Sequence, residues 1–142
     1  SPTTPDFLVG DHVVISGQDT ITAAPELVRL TGNIAFAHTD ASRSYLKKRL
    51  VYGGHTISLA YAQIMRAMPN TIALIGWQGC DHLGPVLEED IIRSEFTVTS
   101  IVPLQAGGSL CELNVETYAK RLNSEGNYVE SKVLAWRLVL WA

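Results

Sequence analysis

The sequence predicts an α+β protein in which a long antiparallel β-sheet wraps a single buried α-helix. Three observations carry that prediction. The segment "GGHTISLAYAQIMRAMPN" is opened by two glycines and closed by Pro69, so it reads as a helix from about Thr56 to Met68. Nine of those thirteen residues are apolar and they surround the helix instead of forming one stripe, a pattern that belongs inside a protein. The segments "TIALIGWQGC", "DIIRSEFTVTSIVPL", "GGSLCELNVETYAKRLN" and "NYVESKVLAWRLVLWA" are rich in Val, Ile, Thr and aromatics, and turn signals such as "LGP", "QAGG" and "NSEGN" separate them. These are strand signatures. Finally, 142 residues at 46% hydrophobic and 18% charged make one domain, residues 1–142, able to bury a core without staples.

Taken in order, a Pro-rich lead-in precedes "DHVVISG", a short strand. "TAAPELVRLTG" follows as a short helix, with Thr22 as cap, Pro25 in the first turn and Gly32 as stop. Residues 33 to 55 read as loop, with one helical turn around Ala41 to Lys47. After the central helix come the long strands. Alternation in Cys111, Leu113 and Val115, and in Val133 and Ala135, predicts one face on the buried helix and the other turned outward.

Composition narrows the function. Net charge is −3 with Lys and Arg scattered, so no basic stripe points to nucleic acid. Cys80 and Cys111 lie in apolar, strand-like stretches and read as reduced core residues of a cytoplasmic protein. No Cys/His spacing suggests a metal. No apolar run reaches the roughly 18 residues of a membrane span, and "SPTTPD" is not a signal peptide. An opening without Met is expected of a processed chain or a piece of something longer.

One buried helix wrapped by a long antiparallel sheet is the hotdog arrangement, and here the chain resembles the MaoC-like, (R)-specific enoyl-CoA hydratase/dehydratase family. "FLVGDHVV" with "ITAAPELVRLTGN" is similar to the family's opening strand and first helix. "VYGGHTISLAYAQIM" sits where the family has its glycine-led central helix. "LGPVLEEDIIRSEFTVTSI" is similar to the turn and strand that follow, and "LNSEGNYVESKVLAW" to the closing hairpin. The resemblance covers nearly the whole chain; each piece is weak alone, and order and spacing together make it specific.

The family signature is an aspartate followed five residues later by a histidine, usually with Asn-Pro between. In "LTGNIAFAHTDAS", His38 matches the histidine, but Asn33 stands at the aspartate position and Ala35 and Phe36 replace Asn-Pro. The resemblance implies that the two side chains handle a water added across an enoyl thioester double bond. An amide oxygen is a very poor base, and losing a positioned acid/base group typically forfeits about 10²–10⁴-fold in rate. An imidazole is able to act as base or acid alone, leaving Asn33 to orient the water or His38. Asp40 either substitutes for the missing acid or caps the turn after it, and capping is the stronger reading.

By the same resemblance, Gly54 occupies the position whose N–H faces the thioester oxygen. Glycine lets backbone approach a ligand closely, and donors at a helix N-terminus suit an oxygen turning enolate-like. The plainer reading of Gly53 and Gly54 is a tight entry into the helix. His55 lines the site or caps that helix. Arg43, Lys47, Lys48 and Arg49 form a basic cluster that is either a solvated surface or an entrance binding the phosphates of coenzyme A. Asp81 and His82 are adjacent in an extended segment and point to opposite faces, which reads as a polar strand end. Tyr52 and Tyr61 read as packing.

Two functions are therefore expected. The first is an acyl-CoA hydratase/dehydratase without metal or redox cofactor, taking acyl-CoA as substrate. The second is a degenerate hotdog unit that binds acyl-CoA as ligand or serves as the structural half of a double hotdog. Both call for a second hotdog unit, as homodimer or covalent double hotdog, with the apolar "VLAWRLVLWA", including Trp136 and Trp141, buried between them.

Overall fold

The computed structural model describes residues 7–142. Strand β1 (His12–Val14) and the two-residue β2 (Asp19–Thr20) precede helix α1 (Ala24–Thr31) and the single-turn α2 (Phe36–Thr39). Helix α3 (Gly53–Ala67) is followed by four long strands: β3 (Ala73–His82), β4 (Ile91–Pro103), β5 (Ser109–Leu122) and β6 (Tyr128–Trp141). They form one antiparallel sheet in the order β1-β4-β5-β6-β3, with β2 also on β4. This is the expected sheet around one helix.

The inward faces show why these sequences are strands. In β4, Ile92, Ser94, Phe96 and Val98 are buried while Ile91, Arg93, Glu95 and Thr97 turn outward. In β5 the buried set is Cys111, Leu113, Val115, Thr117 and Ala119. The alternation is the two-residue period of a sheet with one covered face. In β6 the phase shifts. Thr117 pairs with Leu134 and Tyr118 with Lys132, so Val133 is the extra residue of a bulge, and the inward set becomes Leu134, Trp136, Leu138 and Leu140. Ala135 therefore lies on the outward phase, not in step with Val133 as expected, because a bulge resets the alternation.

Helix α3 lies on this face, with Ala60, Ile64 and the following Met68 buried against Phe96, Val115 and Trp136 in the main cluster. Only Ser58, Ala62 and Arg66 are exposed, a narrow i, i+4 stripe. A second cluster of Ile21, Ala24, Val51, Val86, Ile92, Ala119 and Val133 sits beneath the N-terminal end of α3. Each fully buried aliphatic or aromatic side chain contributes about 1.5–3 kcal/mol.

The outward face of the sheet is polar. Arg93 pairs with Glu130 at 2.6 Å and with Glu95 at 2.9 Å; Lys132 pairs with Glu116, and Tyr118 donates its hydroxyl to Glu116 at 2.8 Å. Burial chiefly, with the Glu116 and Glu95 carboxylates, pushes the Tyr118 phenol up to about 12.

Three further expectations are corrected. The central helix begins at Gly53, not near Thr56, because Tyr52 is extended and serves as its N-cap. The N-cap of α1 is Ala23, not Thr22, while Gly32 ends that helix at φ 70° as expected. The final strand is interior to the sheet, between β5 and β3. Its Trp136 is buried in the chain's own core, and Trp141 donates its indole N–H to the Gly107 carbonyl at 3.1 Å. Among the described strands, β3 is instead one edge of the sheet, and its Ile75 and Trp77 are more than half exposed. No described helix is long and apolar enough to cross a membrane. Both cysteines are free, and burial pushes each thiol up, which keeps them protonated and unreactive.

Candidate active site at the start of the central helix

The segment joining α2 to α3 is held from both sides. Leu50 donates its N–H to Ala37 O at 2.8 Å, and Val51 donates to Val86 O at 2.7 Å. This brings α2, the first turn of α3 and the β3–β4 loop around one cavity of about 240 Å³, lined by His38, Leu50, Val51, Gly53, Thr56, His82, Gly84, Pro85 and Val86.

His38 is half-buried, and its Nδ1 lies 2.7 Å from the Leu50 carbonyl. A carbonyl only accepts, so Nδ1 carries a proton, and in the neutral ring the lone pair falls on Nε2. The backbone thus both orients the ring and chooses its tautomer. Tyr52 packs edge-on to it, with centroids 6.3 Å apart.

Asn33 stands apart from this. Its Oδ1 accepts the Ala35 N–H at 3.2 Å, which shapes the turn into α2. Orientation of His38 comes from Leu50, a contact that no side-chain motif would disclose. Asp40 caps the next turn, accepting from the Ser42 N–H at 2.9 Å and its hydroxyl at 2.6 Å. The Ser42 hydroxyl chiefly, with Arg43 nearby, holds this exposed carboxyl below its usual range.

Gly53 and Gly54 are the first two residues of α3, where N–H groups have no intrahelical acceptor. Tyr52 provides no capping side chain. Both glycines are also packing requirements. A Cβ on Gly53 would stand 2.9 Å from Cε1 and Nε2 of His82, and one on Gly54 would stand 2.8 Å from Cζ of Tyr52. His55 is buried, its Nδ1 has no hydrogen-bond partner, and desolvation lowers its pKa, which favours the neutral ring. It does not line the cavity.

The basic cluster disperses. Arg43 stacks over Phe36, its Cζ 3.2 Å from the ring centroid, and Lys47 donates to Ser42 O at 3.3 Å. Arg49 is paired with Glu88 at 2.7 Å, and Lys48 lines a separate groove with Glu88, Asp90 and Arg121.

Asp81 and His82 do face opposite ways. Asp81 borders the outer face with Asn114, Glu116 and Arg137, while His82 enters the cavity that His38 lines. β3 does end at His82, as the strand-end reading expects, but the place of its ring on this cavity was missed. Thr56, buried and lining the same cavity, was also missed. The available signal was the run "DHLGP", a histidine at a strand terminus just before a Gly-Pro turn. No described group of three or more His, Cys, Asp or Glu residues is placed to hold a metal.

No protein-family profile matches the chain. Residues of this chain are 29% identical over 91 positions to mesaconyl-CoA hydratase of Cereibacter sphaeroides, covering 63% of this chain and 26% of that protein. The Mycobacterium tuberculosis protein RV0216, which has a double hotdog fold, superposes at a TM-score of 0.84 with 37% identity, over 99% of this chain and 41% of the other. A MaoC domain dehydratase structure from Chloroflexus aurantiacus gives 0.78 at 23% identity, over 99% and 44%. The (R)-hydratase PhaJ1 of Pseudomonas aeruginosa gives 0.72 at 18% identity, over 96% and 83%. The chain spans about a quarter of the curated relative's length and less than half of the first two structures. The fold is the hotdog fold, and its structural neighbours are MaoC-like dehydratases and (R)-hydratases.

Proposed function

We propose that this chain carries an acyl-CoA hydratase/dehydratase site in which His38 moves the proton of water and the Gly54 N–H stabilises the thioester oxygen. The observation that carries the reading is the hydrogen bond from His38 Nδ1 to Leu50 O, which leaves Nε2 as a base on a largely apolar cavity that reaches the uncapped start of α3. Water adds as follows. His38 Nε2 takes a proton while the oxygen bonds the β-carbon. The π electrons move to the thioester oxygen, which N–H donors at the helix start stabilise. The α-carbon then takes up a proton as the enolate collapses, and dehydration runs the same steps backwards. Asn33 supports the site by shaping the turn ahead of His38, and no cofactor is required.

Around that centre, Gly53 provides the second helix-start donor, and Asp40 acts by holding the following turn. Arg43 sits on the Phe36 ring, where a guanidinium suits coenzyme A phosphates. His55 supports the first turn of α3 from within. A second hotdog unit pairs along β3, where Ile75 and Trp77 are exposed on the sheet edge; an unpaired edge of this kind is a template for another strand.

One observation favours a second reading, the degenerate acyl-CoA-binding or structural half: the position of the acidic partner holds an amide whose oxygen is already used by Ala35. Hydration of short, branched and long enoyl-CoAs, followed by loss of the conjugated absorbance, separates the two. Wild-type turnover that falls about 10²-fold or more in His38→Ala is expected. Saturable binding with no turnover supports the second reading.

A further inference from the structure

A hydratase needs two proton-handling events, one at water and one at the α-carbon. His38 accounts for the first. The usual acidic partner position is an amide turned into its own loop, so the second event lacks a carrier on that side of the site. The cavity that His38 lines is also walled by the end of β3 and the loop after it, and the titratable side chain there is His82.

Its placement follows from the sheet. His82 pairs with Leu134 on β6, and the next N–H, that of Leu83, donates to Val133 O at 2.8 Å. These bonds hold the strand end in register and leave the imidazole directed at the first turn of α3. There the missing side chain of Gly53 makes its room, since an added Cβ would lie 2.9 Å from the ring. Asp81, one residue earlier, borders the outer face, so no carboxylate of β3 shares the cavity. Thr56, Gly84 and the apolar Leu50, Val51, Pro85 and Val86 complete the lining.

We infer that His82 is the second catalytic residue of the site, delivering the α-carbon proton that His38 does not. The inference rests on the hydratase reading above. In the hydration direction His38 Nε2 gains the water proton as the C–O bond forms. The enolate pair then takes a proton from the His82 imidazolium to form the α C–H bond. One histidine ends protonated and the other deprotonated, and solvent resets both, which the exposed His82 ring permits. In dehydration His82 is the base and His38 the acid. Two histidines thus replace an acid–histidine pair, and the Asn33 position has no proton to move.

The test compares His82→Gln, which keeps a polar, hydrogen-bonding side chain but no titrating group, with His82→Ala and with His38→Ala as reference. Turnover of enoyl-CoA and binding of a saturated acyl-CoA are measured on each variant. The expected result is a kcat loss of about 10²-fold or more in both His82 variants, with KM and saturated acyl-CoA affinity within about threefold of wild type. A His82→Gln enzyme with near wild-type kcat overturns the inference and assigns the ring to packing, while the hydratase reading stands if His38→Ala is inactive. Wild-type protein that binds acyl-CoA but turns over no enoyl-CoA overturns both.

Discussion

Replacing Gly54 by alanine tests the packing at the start of α3 and its chemistry together. The added Cβ would lie 2.8 Å from Cζ and 3.0 Å from Oη of Tyr52, and nearer still to Cε1. Carbon atoms in contact prefer about 3.5–4.0 Å, so the ring or the helix start must shift by roughly an ångström. Tyr52 is half-buried and packed edge-on to His38, so the ring does not swing without disturbing that imidazole. Overpacking costs about 1–3 kcal/mol. Against it stands the helix preference of alanine over glycine, at most about 1 kcal/mol, because the backbone of Gly54 is not in the left-handed region. The net is a destabilisation of about 0–3 kcal/mol, which lowers Tm by at most about 15 °C for a domain this size.

Turnover is expected to fall further than stability. An ångström of misplacement at a reacting centre costs about 10²-fold, and the Gly54 N–H and the His38 ring both move. Thermal denaturation and enoyl-CoA hydration measure the two effects. Removing the obstacle supplies the control: in Tyr52→Ala/Gly54→Ala the methyl enters space the ring has left, so the double variant should be more stable than the sum of the singles predicts. Additive stabilities, or a Gly54→Ala protein unchanged in both Tm and kcat, would refute the reasoning.

Two more predictions concern the scaffold. The Arg66 guanidinium, 2.6 Å from Asp19, holds that carboxyl below its usual range and ties β2 to α3. A lowered folded-state pKa gives stability that is present above the unfolded value near ~4 and is lost as pH falls through the folded one. Urea midpoints of Arg66→Ala should therefore differ from wild type by the equivalent of less than about 1 kcal/mol at pH 6, since the pair is partly exposed, and converge with wild type toward pH 2. The buried hydroxyls of Ser94 and Thr117 are 2.9 Å apart across β4 and β5. Thr117→Val strands one of them and should cost about 1–3 kcal/mol by urea denaturation, whereas Ser94→Ala/Thr117→Val should recover most of that.

The fold was legible because its signals are local. A helix apolar on all sides and strands broken by Gly, Pro and Asn clusters require a sheet around a helix, whatever the details. Where a signal depended on a neighbour, the reading failed. The bulge at Val133 moved Ala135 outward, and the strong hydrophobicity of "VLAWRLVLWA" reflects an interior strand with Trp136 in the core, not a face awaiting a partner.

The site divides in the same way. By itself, the sequence determined that a histidine stands five residues after an asparagine and that two glycines lead the central helix. It also determined that Asp81 and His82 point apart, since strand geometry alternates side chains. Only the tertiary structure decided that a backbone carbonyl from Leu50 selects the tautomer of His38, that Asn33 turns into its own loop, and that His82 and His38 border one cavity. Those facts depend on pairing of segments 12 to 50 residues apart in the chain, where Leu50 meets His38, Val51 meets Val86 and Val133 holds Leu83. Periodicity describes how a residue faces its own element; it holds no record of which other element will stand opposite.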